Sequence, residues 1–316
     1  EGTRAVDIEE GKICEVKTVD GKKIKAKYVV IASHYPFYDG KGMYFARMYP
    51  ERSYLLAFRI EGAPPEGMFI NVETPGMTIR SHPHEGERLL IFGGESHKTA
   101  HGQNTSTHYD NLRNQVKQIF TVKEELYHWS TQDYHTLDEI PYVGKLTSET
   151  PNIFVATGFR KWGMTNSTAA AIIIKDLIVK GESPWQDIYS PQRGTTVKAA
   201  GTFIVQNADV AVQLISGKLE SPDDELDIKE CEGKVVEYKG KRTGAYKDQN
   251  GKLYLVDLTC THMGCELKWN DAEKSWDCPC HGSRFNYDGS IIEGPALYPL
   301  NHPDEGRNQV EPNVIK

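Results

Sequence analysis

The chain has 316 residues, 38% apolar and 26% charged, with a formal net charge of −7 at pH 7. This size and balance predict a soluble protein of two or three domains with an ample core, expected in the cytoplasm. The acidic balance and the lack of a basic stripe exclude nucleic acid as a default partner. The longest apolar stretch, 169–174, is broken by Lys175 and Asp176, so no transmembrane segment is expected.

Residues 1–35 read as strands. The stretch 13–19 alternates, Asp20-Gly21 is a hairpin signal, and 27–32 reads as a buried strand. Because these strands read as mid-domain from the first residue, the chain is expected to be the C-terminal part of something longer. Strand-like runs follow at 54–60, 68–72, 77–80 and 88–92. An amphipathic helix over 107–120 presents Leu112, Val116, Ile119 and Phe120 on one face. A mixed sheet with a helix is therefore expected over 36–140. A strand at 152–156, a glycine turn and a helix over 165–179 come next. Pro184, Pro191 and Gly194 mark 181–200 as a linker, and a short helix at 202–216 leads to Ser221-Pro222-Asp223-Asp224. Small strands with turns at 248–251 and 288–289 predict a compact β domain over 221–316.

The C-terminal chemistry is concentrated in two boxes. They are Cys260-Thr261-His262-Met263-Gly264-Cys265 and Cys278-Pro279-Cys280-His281-Gly282-Ser283. Each offers a Cys and a His at close spacing and adds a second Cys, except that the extra cysteine falls at a different place in each box. Two thiolates on one iron and two imidazoles on another make the ligand set of a Rieske [2Fe–2S] centre. Zinc is the alternative for Cys and His at short spacings. A Cys2His2 zinc finger, however, groups its cysteines together and its histidines together, whereas this chain mixes one of each per box.

These boxes resemble the Rieske family. The resemblance implies Cys260, His262, Cys278 and His281 as metal ligands and a disulfide between Cys265 and Cys280. It places Ser283 where a hydroxyl donates to a bridging sulfide, and Gly294-Pro295-Ala296 as the loop covering the cluster. Phe285 stands where high-potential members carry a Tyr. Losing that donor implies a potential below those members, within the family's span of roughly −150 to +300 mV. The disulfide would be unusual in a reducing cytosol. Of the other cysteines, Cys14 and Cys231 fall in predicted strands and read as small buried apolar residues.

A second constellation runs from Asn152 through Gly158 to Phe159-Arg160-Lys161-Trp162-Gly163-Met164-Thr165-Asn166 and into a helix. Physically it is a strand, a glycine turn and a helix N-terminus with free N–H groups. Its plain alternative is an ordinary strand-to-helix connection capped by Asn or Thr. With Tyr28-Val29-Val30-Ile31-Ala32-Ser33 and Thr136-Leu137-Asp138-Glu139-Ile140-Pro141-Tyr142-Val143-Gly144, it resembles the C-terminal part of the D-amino-acid oxidase-like family of FAD-dependent oxidoreductases, over residues 1–190. The resemblance implies an FAD site in which Val6 and Ala32 lie by the adenosine half. Gly158, Gly163, Met164, Thr165 and Asn166 then lie by the flavin ring. The G-x-G-x-x-G loop that seats a pyrophosphate is absent from the 316 residues. Gly40-Lys41-Gly42 and Gly93-Gly94 do not replace it, so only part of a flavin site is expected.

Other residues carry weaker signals. His97 and His101, like His82 and His84, read as loop histidines. Arg80 reads as a surface arginine or as a holder of a substrate carboxylate. Trp129, Gln132 and Tyr134 read as pocket wall or core. The expected fold class is α+β: a partial FAD-binding domain with a mixed sheet (1–190), a linker with a short helix (191–220), and an all-β Rieske domain. The expected function is a flavin- and cluster-dependent oxidoreductase. Its partners would be a small-molecule substrate, an amine or amino acid by the resemblance, and an external electron donor or acceptor. The rival is a ferredoxin-like carrier with a degenerate flavin domain. A Rieske oxygenase is disfavoured, because too little chain follows His281 to house a mononuclear iron domain.

Overall fold

A computed structural model describes residues 1–39, 41–73, 76–102, 104–194, 197–216 and 227–305. The turn signal at 221–224, the expected boundary at 221, Gly40 and Gln103 lie outside the described residues. The chain groups into two compact units. One comprises 1–50, 133–269 and the chain from 275 on; the other comprises 51–132 and 270–274.

The first unit opens with an antiparallel meander of β1 (Ala5–Glu9), β2 (Cys14–Thr18) and β3 (Lys23–Ala26). Asp20-Gly21 makes the β2–β3 turn: Gly21 takes φ 80° and donates its N–H to the Thr18 carbonyl at 2.9 Å. Next come β4 (Val29–Ile31) and a short helix, α1 (Tyr44–Arg47). The second unit is built on a five-stranded sheet. Its strands are β5 (Met48–Ile60), β6 (Met68–Ile70), β7 (Thr78–His84), β8 (Glu87–Lys98) and β9 (Val122–Thr136), in the order β6-β7-β8-β5-β9.

The second unit's helix, α2 (Ser106–Ile119), buries Tyr109, Leu112 and Val116 against Tyr54, Leu56, Phe58 and Phe92. Ile119, expected on the same face, is exposed. The helix ends there, and the extended Phe120 packs on the core instead. The residues 270–274 join this unit through α2: Thr105 Oγ1 donates to Asn270 Oδ1 at 2.7 Å and Tyr109 donates to Glu273 at 2.6 Å.

Back in the first unit, β10 (Tyr142–Lys145) pairs antiparallel with β11 (Ile153–Thr157), which pairs parallel with β4. Fully buried β11 is a continuous apolar run, as expected of a strand covered on both faces. The helix α3 (Gly163–Val179) returns over this sheet through Ala170, Ile173 and Ile174. The stretch 181–200 is more than a linker. It holds α4 (Gln186–Tyr189), and Arg193 grips the Asp138 carboxylate at 2.7 and 2.6 Å while donating to the Ile140 and Pro141 carbonyls. Those partners lie too far away in sequence for a linear reading to find. The following helix, α5 (Val197–Ser216), starts before residue 202.

The C-terminal region is all β. One sheet holds β12 (Gly233–Tyr238), β13 (Lys241–Lys247) and β14 (Leu253–Asp257). The other holds β15 (Lys268–Asn270), β16 (Ser275–Asp277), β17 (Arg284–Asn286) and β18 (Ile291–Glu293). Trp276 and Phe285 are fully buried in its core. Cys14 is buried in β2, but Cys231 is not a strand residue. It is exposed in a turn at φ 62°, its N–H bonded to the Lys247 carbonyl. Among the described residues no helix is long and apolar enough to cross a membrane.

Candidate cluster loops and flavin-facing turn

The two boxes fold into loops of one design. In the first, the Cys260 N–H donates to the Cys265 carbonyl at 2.8 Å and the Gly264 N–H returns to the Cys260 carbonyl at 2.9 Å. In the second, Cys278 donates to Ser283 at 2.8 Å and Gly282 returns to Cys278 at 3.1 Å. Gly264 and Gly282 both have positive φ, 76° and 81°, a conformation that suits glycine. The shared place of this glycine, four residues after the first Cys, was legible in the sequence, and sequence reasoning passed over it.

The loops bring Cys260, His262, Cys278 and His281 together. The two imidazoles stand nearly perpendicular, at 87°, with centroids 5.0 Å apart. His262 Nδ1 is buried and meets no hydrogen-bond partner among the described residues. Burial and the neighbouring His281 hold the His262 ring well below the usual histidine range, so it is neutral and can serve as a ligand. Cys260 and Cys278 share a hydrogen bond that draws the Cys260 thiol down and pushes Cys278 well above the usual thiol range. The N–H groups of His262 and Met263 and the Ser283 hydroxyl also favour thiolate at Cys260. The Cys278 thiol keeps its proton beside Cys260, because a bare pair of thiolates in a dry site is costly, and a bound cation would take that proton's place. The residues therefore fit a thiolate–imidazole cluster.

Cys265 and Cys280 form a disulfide that ties the loops together. The sulfurs of Cys265, Cys278 and Cys280 lie within 4.8 Å of one another, but with two of them bonded together only Cys278 keeps a free sulfur to offer a metal. Ser283 is fully buried and accepts from the Ala296 N–H at 3.0 Å, which fastens the Gly294-Pro295-Ala296 loop to the second box. The base of the second loop is closed where Asp277 pairs with Arg284 in the β16–β17 register. There Arg284 Nε meets Asp277 Oδ1 at 3.0 Å, and Ser275 bonds both side chains, all in a buried setting.

The N-terminal part of the same unit packs against both imidazoles, covering His281 and leaving His262 half-buried. His281 is only 3% exposed. The Phe45 ring meets His281 edge-on at 6.0 Å, and Tyr35 meets His262 at 6.1 Å. Tyr134 lies against Tyr35, and its hydroxyl reaches the carbonyls of His281 and Gly294 at 3.2 and 3.0 Å.

The expected flavin-facing turn sits where the parallel strands β4 and β11 end, the usual place for a ligand in such a sheet. Ala32 follows β4, and Thr157 Oγ1 donates to the His34 carbonyl to join the two strand ends. Gly158 has φ 73°, and a Cβ there would meet the Thr136 methyl at 2.4 Å. The Asn166 side chain donates to the Phe159 carbonyl at 3.4 Å, closing the turn. No side chain caps α3. Its first turn is open: Met164 is 91% exposed, Thr165 is exposed, and a Cβ on Gly163 would meet nothing within 4 Å. Uncapped N–H groups over open space fit the ring end of a flavin. Val6 lies in β1, in a different sheet from these strand ends.

The structure moves several weaker candidates. His97 is not on a solvent-exposed loop: it lies in β8, opposite Arg52 of β5. It stacks on His108 at 4.2 Å, and its two nitrogens engage the Tyr54 hydroxyl and the Lys98 carbonyl. Burial, helped by His108, pushes its pKa down to about 4. His82 and His84 likewise lie on a strand, β7, while His101 stays outside β8 and bonds the Thr99 carbonyl. Arg80 is exposed on β7. Trp129 packs on Ala57, Leu89 and Ile91, and Gln132 accepts from Thr99 at 2.7 Å.

The FAD dependent oxidoreductase family profile matches residues 1–177, and that of the Rieske [2Fe-2S] domain matches 221–304. The chain belongs to the FAD dependent oxidoreductase family, its flavin-family domain lying at the N-terminal side of a Rieske domain. The cofactors these two domains imply are accordingly FAD and a [2Fe–2S] cluster.

The YhfW protein of Bacillus subtilis (strain 168), named for a Rieske 2Fe-2S iron-sulfur protein, is 47% identical over 305 residues. That alignment covers 96% of this chain and 60% of the relative, so the chain spans less than two thirds of it. Cytochrome b6-f complex iron-sulfur subunit 3 of Nostoc sp. (strain PCC 7120 / SAG 25.82 / UTEX 2576) is 51% identical over 49 residues, 16% of this chain and 27% of the subunit. The crystal structure of glycine oxidase from Geobacillus kaustophilus matches with a TM-score of 0.50 at 22% identity, over 61% of this chain and 53% of that one. At that identity the likeness is one of fold.

Proposed function

We propose that this chain passes electrons between an organic substrate and a one-electron partner outside the molecule, by way of FAD and the Rieske centre. The chemistry the bound groups supply is hydride acceptance by FAD and one-electron acceptance by the cluster. In this reading Cys260 and Cys278 hold one iron and His262 and His281 the other. Ser283 and the loop N–H groups stabilise the thiolates. The disulfide and the 294–296 loop keep water from the cluster. Gly158 to Asn166, with Gly163 and the open start of α3, seat the flavin ring, and Val6 and Ala32 border the adenosine half. Since the chain lacks a G-x-G-x-x-G loop, it supplies part of that site. An amine or amino acid is the proposed substrate class, on fold likeness to glycine oxidase.

The observation that carries this reading is the cover over His281, which is 3% exposed. A carrier that hands electrons to outside partners through its histidines needs them at the surface. Here Phe45 and Tyr134 of the flavin-family region cover His281, and Tyr35 packs against the half-buried His262. The test is an absorbance spectrum with iron, sulfide and flavin counts on the full-length protein purified without air. It is followed by titration with a panel of amines and amino acids. Flavin and cluster that both bleach with one substrate support the proposal. A loaded cluster with no flavin would leave a ferredoxin-like carrier.

A further inference from the structure

We infer that Tyr134 is a positioning residue that registers the second cluster loop against the flavin-facing turn and completes a bonded route between them. This rests on the proposed electron exchange between the two cofactors. Tyr134 sits near the end of β9 and is 1% exposed. On its backbone side, the Arg160 N–H donates to the Tyr134 carbonyl at 3.2 Å. Two residues on, the Thr136 methyl fills the space that Gly158 leaves open. The strand end is thus held to the turn both by a hydrogen bond and by contact.

On its side-chain side, the hydroxyl reaches the His281 carbonyl at 3.2 Å and the Gly294 carbonyl at 3.0 Å. A phenol carries one proton, so a single donor serves both carbonyls. One belongs to the residue that offers an imidazole, the other to the loop fastened to Ser283. The ring is held from the sides by His34 and Tyr35, each at 5.0 Å. The route runs from the Arg160 N–H through the backbone and side chain of Tyr134 to the His281 carbonyl and on to its imidazole. One electron leaves the reduced flavin for each electron that enters the cluster. Tyr134 is neither oxidised nor reduced, and its proton stays on the phenol oxygen.

Two neighbouring rings make a different contact. Tyr35 and Phe45 meet the imidazoles edge-on through packing, without a hydrogen bond to either ligand residue. A phenylalanine at 134 would keep the ring packing and lose only the donor, which makes Tyr134→Phe the informative variant.

The experiment uses full-length protein loaded with both cofactors. Its flavin is photoreduced anaerobically and cluster bleaching is followed in time, with both reduction potentials measured by titration. We expect Tyr134→Phe to slow cluster reduction severalfold, with cluster content and both potentials unchanged. An unchanged rate overturns the inference. So does a potential shift large enough to explain the slower rate, a lost cluster, or an equal slowing in Tyr35→Phe. If the unmodified protein never passes electrons from flavin to cluster, the proposed function falls and takes the inference with it. Transfer that is equally fast in both proteins sinks the inference alone.

Discussion

The cluster loops and the flavin-facing turn differ in how far apart in the chain their parts lie. The four candidate iron ligands and the disulfide cysteines all fall within 260–283, and each loop closes on itself through its own backbone bonds. The flavin-facing turn draws on β4, β9 and β11, whose ends are held together by Thr157 bonding to His34 and Thr136 packing on Gly158. A local site tolerates change elsewhere in the chain but fails at once when one of its own residues is lost. A dispersed site should degrade by degrees, because several contacts share the task of holding it.

Substitutions can break this contrast. The largest effect is expected from His281→Ala, with loss of the cluster seen as absent iron and acid-labile sulfide in purified protein, while the flavin-family region stays folded. Next is Arg284→Met, which takes the arginine away from the buried Asp277 carboxylate at the base of the second loop and leaves it the Ser275 hydroxyl. Removing one partner of such a pair costs about 3–5 kcal/mol, to be read from urea unfolding of the Rieske domain. Replacing Cys265 and Cys280 together by Ser releases a closure of 15 residues. Loops of that length are worth about 3 kcal/mol, and the same urea measurement should register the loss. Gly158→Ala is expected to be milder, about 1–3 kcal/mol for strained backbone. It should weaken FAD retention in dialysis without altering the iron content. Equal damage to both cofactors from Gly158→Ala would show that the two sites are not separable.

The same contrast explains what could be read in advance. Both boxes are short and contiguous, so their ligand pattern was visible in the residues, as were the strand–turn–helix at 153–163 and the hairpin turn at Asp20-Gly21. The role of Tyr134 was not, because its partners lie 147 and 160 residues away. His97 was misplaced for a similar reason: nearby glycines suggested a loop, and only pairing with β5 makes it a strand residue. Arg193 looked like part of a linker until Asp138, 55 residues away, came into hydrogen-bond range. Cys231 failed in the opposite direction, since a positive φ that no local signal announced turns it out to solvent.

The smallest predicted effect concerns pH. Burial pushes the Asp138 carboxyl up, but the paired bonds from Arg193 outweigh it and leave it below its usual 3.8. Its stabilising contribution is therefore complete above that value and is lost as pH falls through the depressed one. Asp138→Asn should flatten this acid limb of a melting-temperature profile and leave the neutral plateau less stable. An unchanged acid limb would remove Asp138 from the account.

The central claim is tested most directly by pulsed electron paramagnetic resonance on reduced protein carrying 15N-labelled histidine. We predict couplings from two histidine nitrogens. A paramagnetic centre with no histidine nitrogen coupling, or a metal content of zinc without iron, would contradict it.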